Sequence, residues 1–297
     1  MSTDRRDAPR IIDYGASTYR TDFWQGQGRE YEDAVERVAI RAMLPRKGER
    51  LVDIGAGFGR LADLYEGYRE VILLDYSAPE LEDARQHLGD GRYIYVAADI
   101  YRMPLATGAV DTAVMVRVLH HIADVPAAMA QLSRILVTGG TLLLEFANKR
   151  HLKNIVRFLL RRGASPFGPY PVEFAPLHYD FHPGWVEKRL TEATFHVERR
   201  RSVSLFRAGF LKQRVPLSWL IALDGALQRL TAAFTPAPSM FFQAIRQQGT
   251  VARPLERAAL FRCPDCGHEP LEAASGGLLC AGCGRLWPQV NGVYILK

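Results

Sequence analysis

Between residues 51 and 146 short apolar runs alternate with helical patterns, and that alternation restricts the chain to few architectures. Strands are expected at Leu51–Ile54, Val71–Leu74, Tyr93–Ala97, Val110–Val116 and Thr141–Phe146. Helices are expected between them, near Arg60–Glu66, Glu80–Leu88 and Pro126–Val137. A helix over 29–44 comes first, with Tyr31, Val35, Val38 and Ala42 at helical spacing and Pro45 behind it. Strands alternating with helices make βαβ units and a doubly wound, mostly parallel sheet. Two later strands, His196–Arg200 and Met240–Arg246, bring the expected count to seven.

The rhythm breaks twice, at insertions over about 148–183 and 203–238. The expected boundaries are one unit over 1–250, a linker near 247–253 and a second unit over 255–297. A length of 297 residues suits two domains. Hydrophobic residues at 48% and charged residues at 24% exclude wholesale disorder. The most apolar stretch, Val215–Phe234, is interrupted by Asp224, Gln228 and Arg229, so a membrane span is not expected. The charged first residues do not form a secretory signal, which makes the cytoplasm the expected compartment.

The chemistry begins at Val52-Asp53-Ile54-Gly55-Ala56-Gly57-Phe58-Gly59-Arg60. Glycines between a strand and a helix let the backbone approach a ligand and turn tightly. Alone, a plain strand-to-helix turn without a ligand is the lesser alternative. Its context adds an acid before the loop, Asp53, and acids ending the next two strands, Asp75 and Asp99. Asp75 follows the glycines by about 20 residues, a spacing that suits an acid gripping ribose hydroxyls. Asp99 could equally cap a turn. No Gly-Lys-Ser/Thr follows, so a P-loop is excluded.

The set VDIGAGFGR (52–60), LLDYS (73–77), AADI (97–100) and VDTAVMVRVLHHIAD (110–124) resembles class I S-adenosylmethionine-dependent methyltransferases, particularly the type-11 methyltransferase family. The resemblance implies a Rossmann-like fold and S-adenosylmethionine as methyl donor. It implies that Gly55, Ala56, Gly57 and Gly59 line the methionine part and that Asp53 orients the loop or meets the amino group. It places Asp75 on the ribose, Tyr76 beside the adenine, and Asp99 and Ile100 at the adenine amine and ring. Arg117 would open the loop after the fourth strand and touch cofactor or substrate. Aromatic Tyr14, Tyr19 and Trp24 would close over the cofactor.

Methyl transfer is an in-line displacement, and a base is needed only where the acceptor carries a proton. Candidate bases are His120, His121, His178 and His182, with packing, capping or ordinary loop roles as the alternatives. The chain lacks the Asn/Asp-Pro-Pro-Tyr of amide and adenine-N6 methylation, and a cysteine nucleophile outside the C-terminal unit.

Charge is concentrated in one region. Residues 149–214 hold 14 Lys and Arg against 5 Asp and Glu, whereas the whole chain is only +6. Lys149, Lys153, Arg157 and Arg161 recur at i+4 beside apolar Leu152, Ile155, Val156, Leu159 and Leu160. This reads as one cationic stripe on an amphipathic helix. It is either a solvated face or a site for an anionic membrane surface or RNA.

All four cysteines lie in two knuckles, Cys263-Pro264-Asp265-Cys266 and Cys280-Ala281-Gly282-Cys283. Two Cys-x-x-Cys pairs at this distance match a closed structural Zn2+ site. The stretches CPDCG, LLCAGCGRLWP and NGVYILK resemble zinc ribbons, specifically the small activator proteins of tRNA and translation-factor methyltransferases. Three functions follow as expectations: methylation of a small or lipid-like metabolite, methylation of RNA, or a non-catalytic cofactor-binding adaptor.

Overall fold

The computed structural model describes residues 29–248 and 256–297. Tyr14, Tyr19, Trp24 and residues 249–253 of the expected linker lie outside the described residues. The first half runs α1 (Glu30–Met43), β1 (Gly48–Ile54), β2 (Tyr68–Asp75), α2 (Ala78–Leu88), β3 (Tyr93–Ala98), β4 (Val110–Met115), α3 (Val125–Ile135) and β5 (Leu136–Ala147). Helix α2 starts where Ser77 accepts from Glu80 N, and α3 where Asp124 accepts from Ala127 N. Each cap satisfies an N–H that the first helical turn leaves without a partner. The expected helix at Arg60–Glu66 is instead a 3-10 turn over Ala62–Tyr65. Gly59, in left-handed backbone, breaks the chain direction just before this turn.

The second half adds α4 (Leu152–Leu159), β6 (Val172–Ala175), β7 (His178–Asp180), α5 (Pro183–Glu192), β8 (Phe195–Val203), α6 (Gly209–Arg214), α7 (Leu217–Leu230) and β9 (Ser239–Arg246). The C-terminal unit contributes β10 (Glu272–Ala274), β11 (Gly277–Leu279), β12 (Leu286–Val290) and β13 (Val293–Leu296).

The main sheet has eleven strands, not seven, in the order β10-β11-β12-β13-β3-β2-β1-β4-β5-β9-β8. Strands β1 to β5 run parallel, whereas β9 is antiparallel to β5 and β8 antiparallel to β9. The four additional strands come from the cysteine unit. Its last strand, β13, pairs in parallel with β3 from Val293↔Tyr95 to Leu296↔Ala98. Without it β3 would be an edge, with a row of backbone donors and acceptors left to water. The pairing also closes a core. Trp287, Leu278, Leu260 and Phe261 are buried in the same apolar cluster as Val52 and Ile72 of the central strands.

The basic insertion differs from its expected form. Helix α4 spans only Leu152–Leu159, so the four cations do not share one helical stripe. Lys149 lies before it, 4% exposed, with its ammonium donating to Tyr170 O. Arg161 lies after it in left-handed backbone at φ +57°. Only Lys153 and Arg157 belong to the helix.

Candidate functional site

The parallel strands all end on one edge of the sheet, and the expected site residues gather there. The loop leaving β1 is held by Leu74 O, which accepts from Gly55 N at 2.8 Å and Ala56 N at 3.2 Å. Gly55, Gly57 and Gly59 have φ of +72°, +51° and +79°. A Cβ on Gly55 would lie 2.1 Å from a Val118 methyl, so the sequence has no room for another residue at this point. Asp53, Gly55, Ala56, Gly57, Arg60 and Arg117 line one cleft.

Asp53 is 3% exposed and accepts from Tyr65 Oη at 2.9 Å. Burial pushes its carboxyl up to about 7, against the opposing pull of the Tyr65 hydrogen bond and the Arg60 charge. Asp75 ends β2 and bridges to the glycine loop: its carboxylate accepts from Gly57 N at 2.8 Å and Ser77 N at 2.9 Å. Asp99 accepts from Tyr101 N at 2.8 Å, which makes it the cap of the turn Ile100–Arg102. Asp99 and Ile100 are both buried, one strand beyond Asp75. Tyr76 is contacted from the C-terminal unit, where Lys297 Nζ donates to Tyr76 O at 2.6 Å and sits 3.8 Å from its ring centroid.

Arg117 follows β4 in left-handed backbone, φ +62°. A non-glycine residue in that region is strained, and the surrounding bonds hold it there. Its N–H donates to Glu145 Oε2 at 2.8 Å, and its guanidinium pairs with Glu36 of α1. Glu36 also receives Arg60 at 3.1 Å. Burial, and secondarily the Glu36 charge, raises the Glu145 carboxyl above the ordinary carboxylate range. Sequence reasoning did not single out Glu36, Glu145 or Tyr65. A signal existed for Glu145, the lone acid within an apolar strand, Leu142-Leu143-Leu144-Glu145-Phe146.

Three of the four histidines form a cluster past β4. His120 and His121 lie in a 3-10 turn, Leu119–His121, with ring centroids 3.9 Å apart, and His178 of β7 stands 4.7 Å from His121. Burial pushes His120 down to about 2 and also lowers His121, so both are neutral at physiological pH. His121 Nδ1 lies 3.0 Å from Leu177 O. A neutral ring donating there leaves Nε2 as its proton acceptor. His182 stands apart and caps α5, accepting from Gly184 N at 3.1 Å.

Among the described residues, the four cysteines are the only group of three or more His, Cys, Asp or Glu side chains gathered closely enough to hold a metal ion. Their Sγ atoms all lie within 4.8 Å of one another. The two knuckles repeat one geometry. Gly267 N donates to Cys263 O at 2.9 Å and Gly284 N to Cys280 O at 2.8 Å, each glycine in left-handed backbone.

Comparison with known proteins bears on the family and the fold. A family profile described as a methyltransferase domain matches residues 52–144. The demethylmenaquinone methyltransferase of Chlamydia pneumoniae is 30% identical over 187 residues, covering 61% of this chain and 80% of that protein. The malonyl-[acyl-carrier protein] O-methyltransferase of Serratia marcescens is 34% identical over 99 residues, 33% of this chain and 38% of its own. The chain spans about a third to a half of the length of several further curated relatives. Among solved structures, an S-adenosylmethionine-dependent methyltransferase from Mesorhizobium loti aligns with TM-score 0.52 at 20% identity, over 73% of this chain and 100% of that one. A structure of the Haloferax volcanii Trm112 methyltransferase activator in complex with a methyltransferase aligns with TM-score 0.54 at 17% identity, over 81% of this chain and 100% of the matched chain. At these identities the structural likeness speaks for the fold.

Proposed function

The chain belongs to the S-adenosylmethionine-dependent methyltransferases, and we propose that it moves the methyl group to a small, lipid-like acceptor. The observation that carries the cofactor reading is the left-handed glycine loop tied to Asp75 across the β1–β2 edge. In this reading Gly55, Ala56, Gly57 and Gly59 hold the methionine part, and Asp53 faces its amino group. The ribose hydroxyls take over the Asp75 carboxylate from Gly57 N. Tyr76, Asp99 and Ile100 surround the adenine, and Arg117 with Glu36 and Glu145 fixes the far wall. Where the acceptor carries a proton, His121 Nε2 or His178 is the base. His120, neutral and poorly basic, packs beside them.

The lipid-like acceptor is supported by two named relatives, a demethylmenaquinone and a malonyl-[acyl-carrier protein] methyltransferase, and by exposed apolar residues on the insertions. RNA is the second reading, favoured by the exposed cations Lys153, Arg157, Arg161 and Arg162 of the first insertion. No helix among the described residues is long and apolar enough to cross a membrane. A cytoplasmic, membrane-peripheral placement goes with the lipid-like reading of the acceptor. A non-catalytic adaptor is set aside, because the chain is a member of an enzyme family.

The cysteine cluster fits Zn2+. A Zn–S bond of about 2.3 Å puts the sulfurs of a regular tetrahedron about 3.8 Å apart. Cys263 and Cys283 stand 3.8 Å apart, and Cys266 and Cys280 3.5 Å. Residues 255–297 would then be a metal-dependent unit fused to a methyltransferase unit over 1–250.

Calorimetry with S-adenosylhomocysteine tests the cofactor site. Asp75→Ala should weaken binding by about 1–3 kcal/mol, because ribose hydroxyls lose a charged acceptor. Unchanged affinity removes Asp75 from the site. Labelled cofactor incubated with cell extract identifies the acceptor, with label in the lipid fraction expected and label in RNA favouring the second reading.

A further inference from the structure

Helix α7 is built inside out. Its inward face carries Leu220, Asp224 and Gln228, all buried. Asp224 accepts from Tyr31 Oη at 2.6 Å and Leu205 N at 2.7 Å, and Gln228 donates to Val35 O at 2.9 Å. Its outward face carries Trp219, Leu223 and Leu230, and Phe234 is exposed just beyond the helix. Spacings of 4 and 11 residues from Trp219 keep the three helical residues on one stripe at 3.6 residues per turn, and Phe234 follows a 3-10 turn over Thr231–Ala233. Trp219 is 72% exposed and Phe234 77%.

Helix α4 repeats the pattern by other means. None of its residues is buried, and Leu152, Val156 and Leu159 form one exposed apolar stripe. The start of α4 is tied to the segment that follows α7. Leu152 N donates to Pro236 O at 2.8 Å, and the Asn148 amide donates to Thr235 O and Ala237 O. These bonds fix the first turn of α4 within a few residues of the exposed Phe234. The junction is also next to the reaction edge of the sheet, because Ala147 at the end of β5 pairs with Ser239 at the start of β9. Monomers rarely leave a large contiguous apolar patch in water without a partner for it.

The charge around the patch selects the partner. Residues 149–162 contain six Lys and Arg and no Asp or Glu. Lys153 and Arg157 flank the α4 stripe, and Arg161 and Arg162 follow it; all four are exposed. Lys153 and Arg157 also border a cavity of about 370 Å3 with His151 and Asn154, large enough for a headgroup phosphate. A second copy of this chain would set these cations against each other. RNA would meet the cations and leave the apolar stripes wet. A bilayer with anionic headgroups satisfies both at once, apolar side chains entering the acyl boundary and cations meeting phosphates.

We propose that the outward faces of α4 and α7, with Lys153, Arg157, Arg161 and Arg162, dock the enzyme on an anionic lipid bilayer. This rests on the lipid-like reading of the acceptor and names the surface from which such an acceptor is reached. The test is sedimentation of the full chain, without cofactor, with phosphatidylcholine vesicles and with vesicles also containing phosphatidylglycerol. Binding to the anionic vesicles should exceed binding to neutral ones more than tenfold at low salt. Lys153→Glu with Arg157→Glu should lower it more than tenfold, and so should Leu159→Ser with Trp219→Ser. Both variants should keep the wild-type melting temperature and S-adenosylhomocysteine affinity, since none of these side chains is buried. A wild-type chain that stays in the supernatant with anionic vesicles overturns the proposal. So does a dimer in light scattering that the serine variant dissolves, or charge reversal that abolishes RNA binding and spares vesicle binding. Because cofactor affinity is read separately, failure on vesicles leaves the methyltransferase reading standing, and loss of that reading would show in calorimetry alone.

Discussion

The sheet carries two additions, and they treat apolar surface in opposite ways. The cysteine unit joins at β3 by a full strand, and its Trp287, only 2% exposed, lies in the central core. The α4 segment joins near the end of β5 by a few backbone bonds and buries no residue of its own helix. Apolar side chains are plentiful in both. The difference is what each one meets: the cysteine unit meets an open strand edge, whereas α4 and the outer face of α7 meet solvent. The first addition reads as architecture, and its reach to Tyr76 through Lys297 lets it brace the expected adenine end of the cofactor site. The second reads as a surface kept for something outside the chain.

The largest test of this contrast is the metal. Zinc binding contributes about 10–16 kcal/mol to isolated zinc-finger peptides. On the proposed Zn2+ site, Cys280→Ser should lose zinc by elemental analysis and lower the melting temperature of the whole chain, because β13 pairs with β3. A variant that loses zinc while the methyltransferase unit melts as before would show the two units to be energetically separate. Next in size is Trp287→Ala, which empties a buried site and should cost about 3–5 kcal/mol in urea denaturation. A cost below about 1 kcal/mol would mean the cysteine unit merely rests on the sheet.

A smaller effect is expected where the same unit touches the site. Lys297 offers Tyr76 a hydrogen bond and a cation over its ring. At an exposed position such a cation–ring contact is worth about 0.5–1 kcal/mol. Lys297→Ala should weaken S-adenosylhomocysteine binding about two- to fivefold by calorimetry, with the fold intact. Unchanged affinity would confine the unit to bracing β3.

The local geometry of the candidate site was legible because it lies within short stretches of chain. The glycines of 55–59 answer to backbone geometry within one loop, and the two cysteine knuckles repeat within 21 residues. Pairings between distant segments were not legible. Nothing near Val293–Leu296 announces that its partner is Tyr93–Ala98 rather than a strand of its own unit. Amphipathic spacing in α4 was visible, as was the apolar character of Val215–Phe234, but neither says which face turns inward. In α7 the polar Asp224 and Gln228 win the interior because Tyr31, Leu205 and Val35 supply their hydrogen bonds. Lys149 was misplaced for a related reason: the i+4 pattern continues through it, while the helix begins only at Leu152.

The smallest expected effect sharpens the contrast most. Leu159 is a leucine on an amphipathic helix, and pattern alone would count it as core. It is 71% exposed. Replacing a buried leucine with alanine costs about 2–5 kcal/mol, because contacts are lost and a cavity remains. A leucine that meets water has few contacts to lose, and surface substitutions stay within about 0.5 kcal/mol. Leu159→Ala should therefore leave the urea midpoint and slope almost unchanged, beside a Trp287→Ala that shifts the midpoint strongly. A loss above about 2 kcal/mol would place Leu159 in the buried class. Either the chain would then pack against another copy in solution, seen as a concentration-dependent midpoint, or α4 would lie against its own sheet. Both outcomes would erase the distinction between an addition that completes the core and one that faces outward.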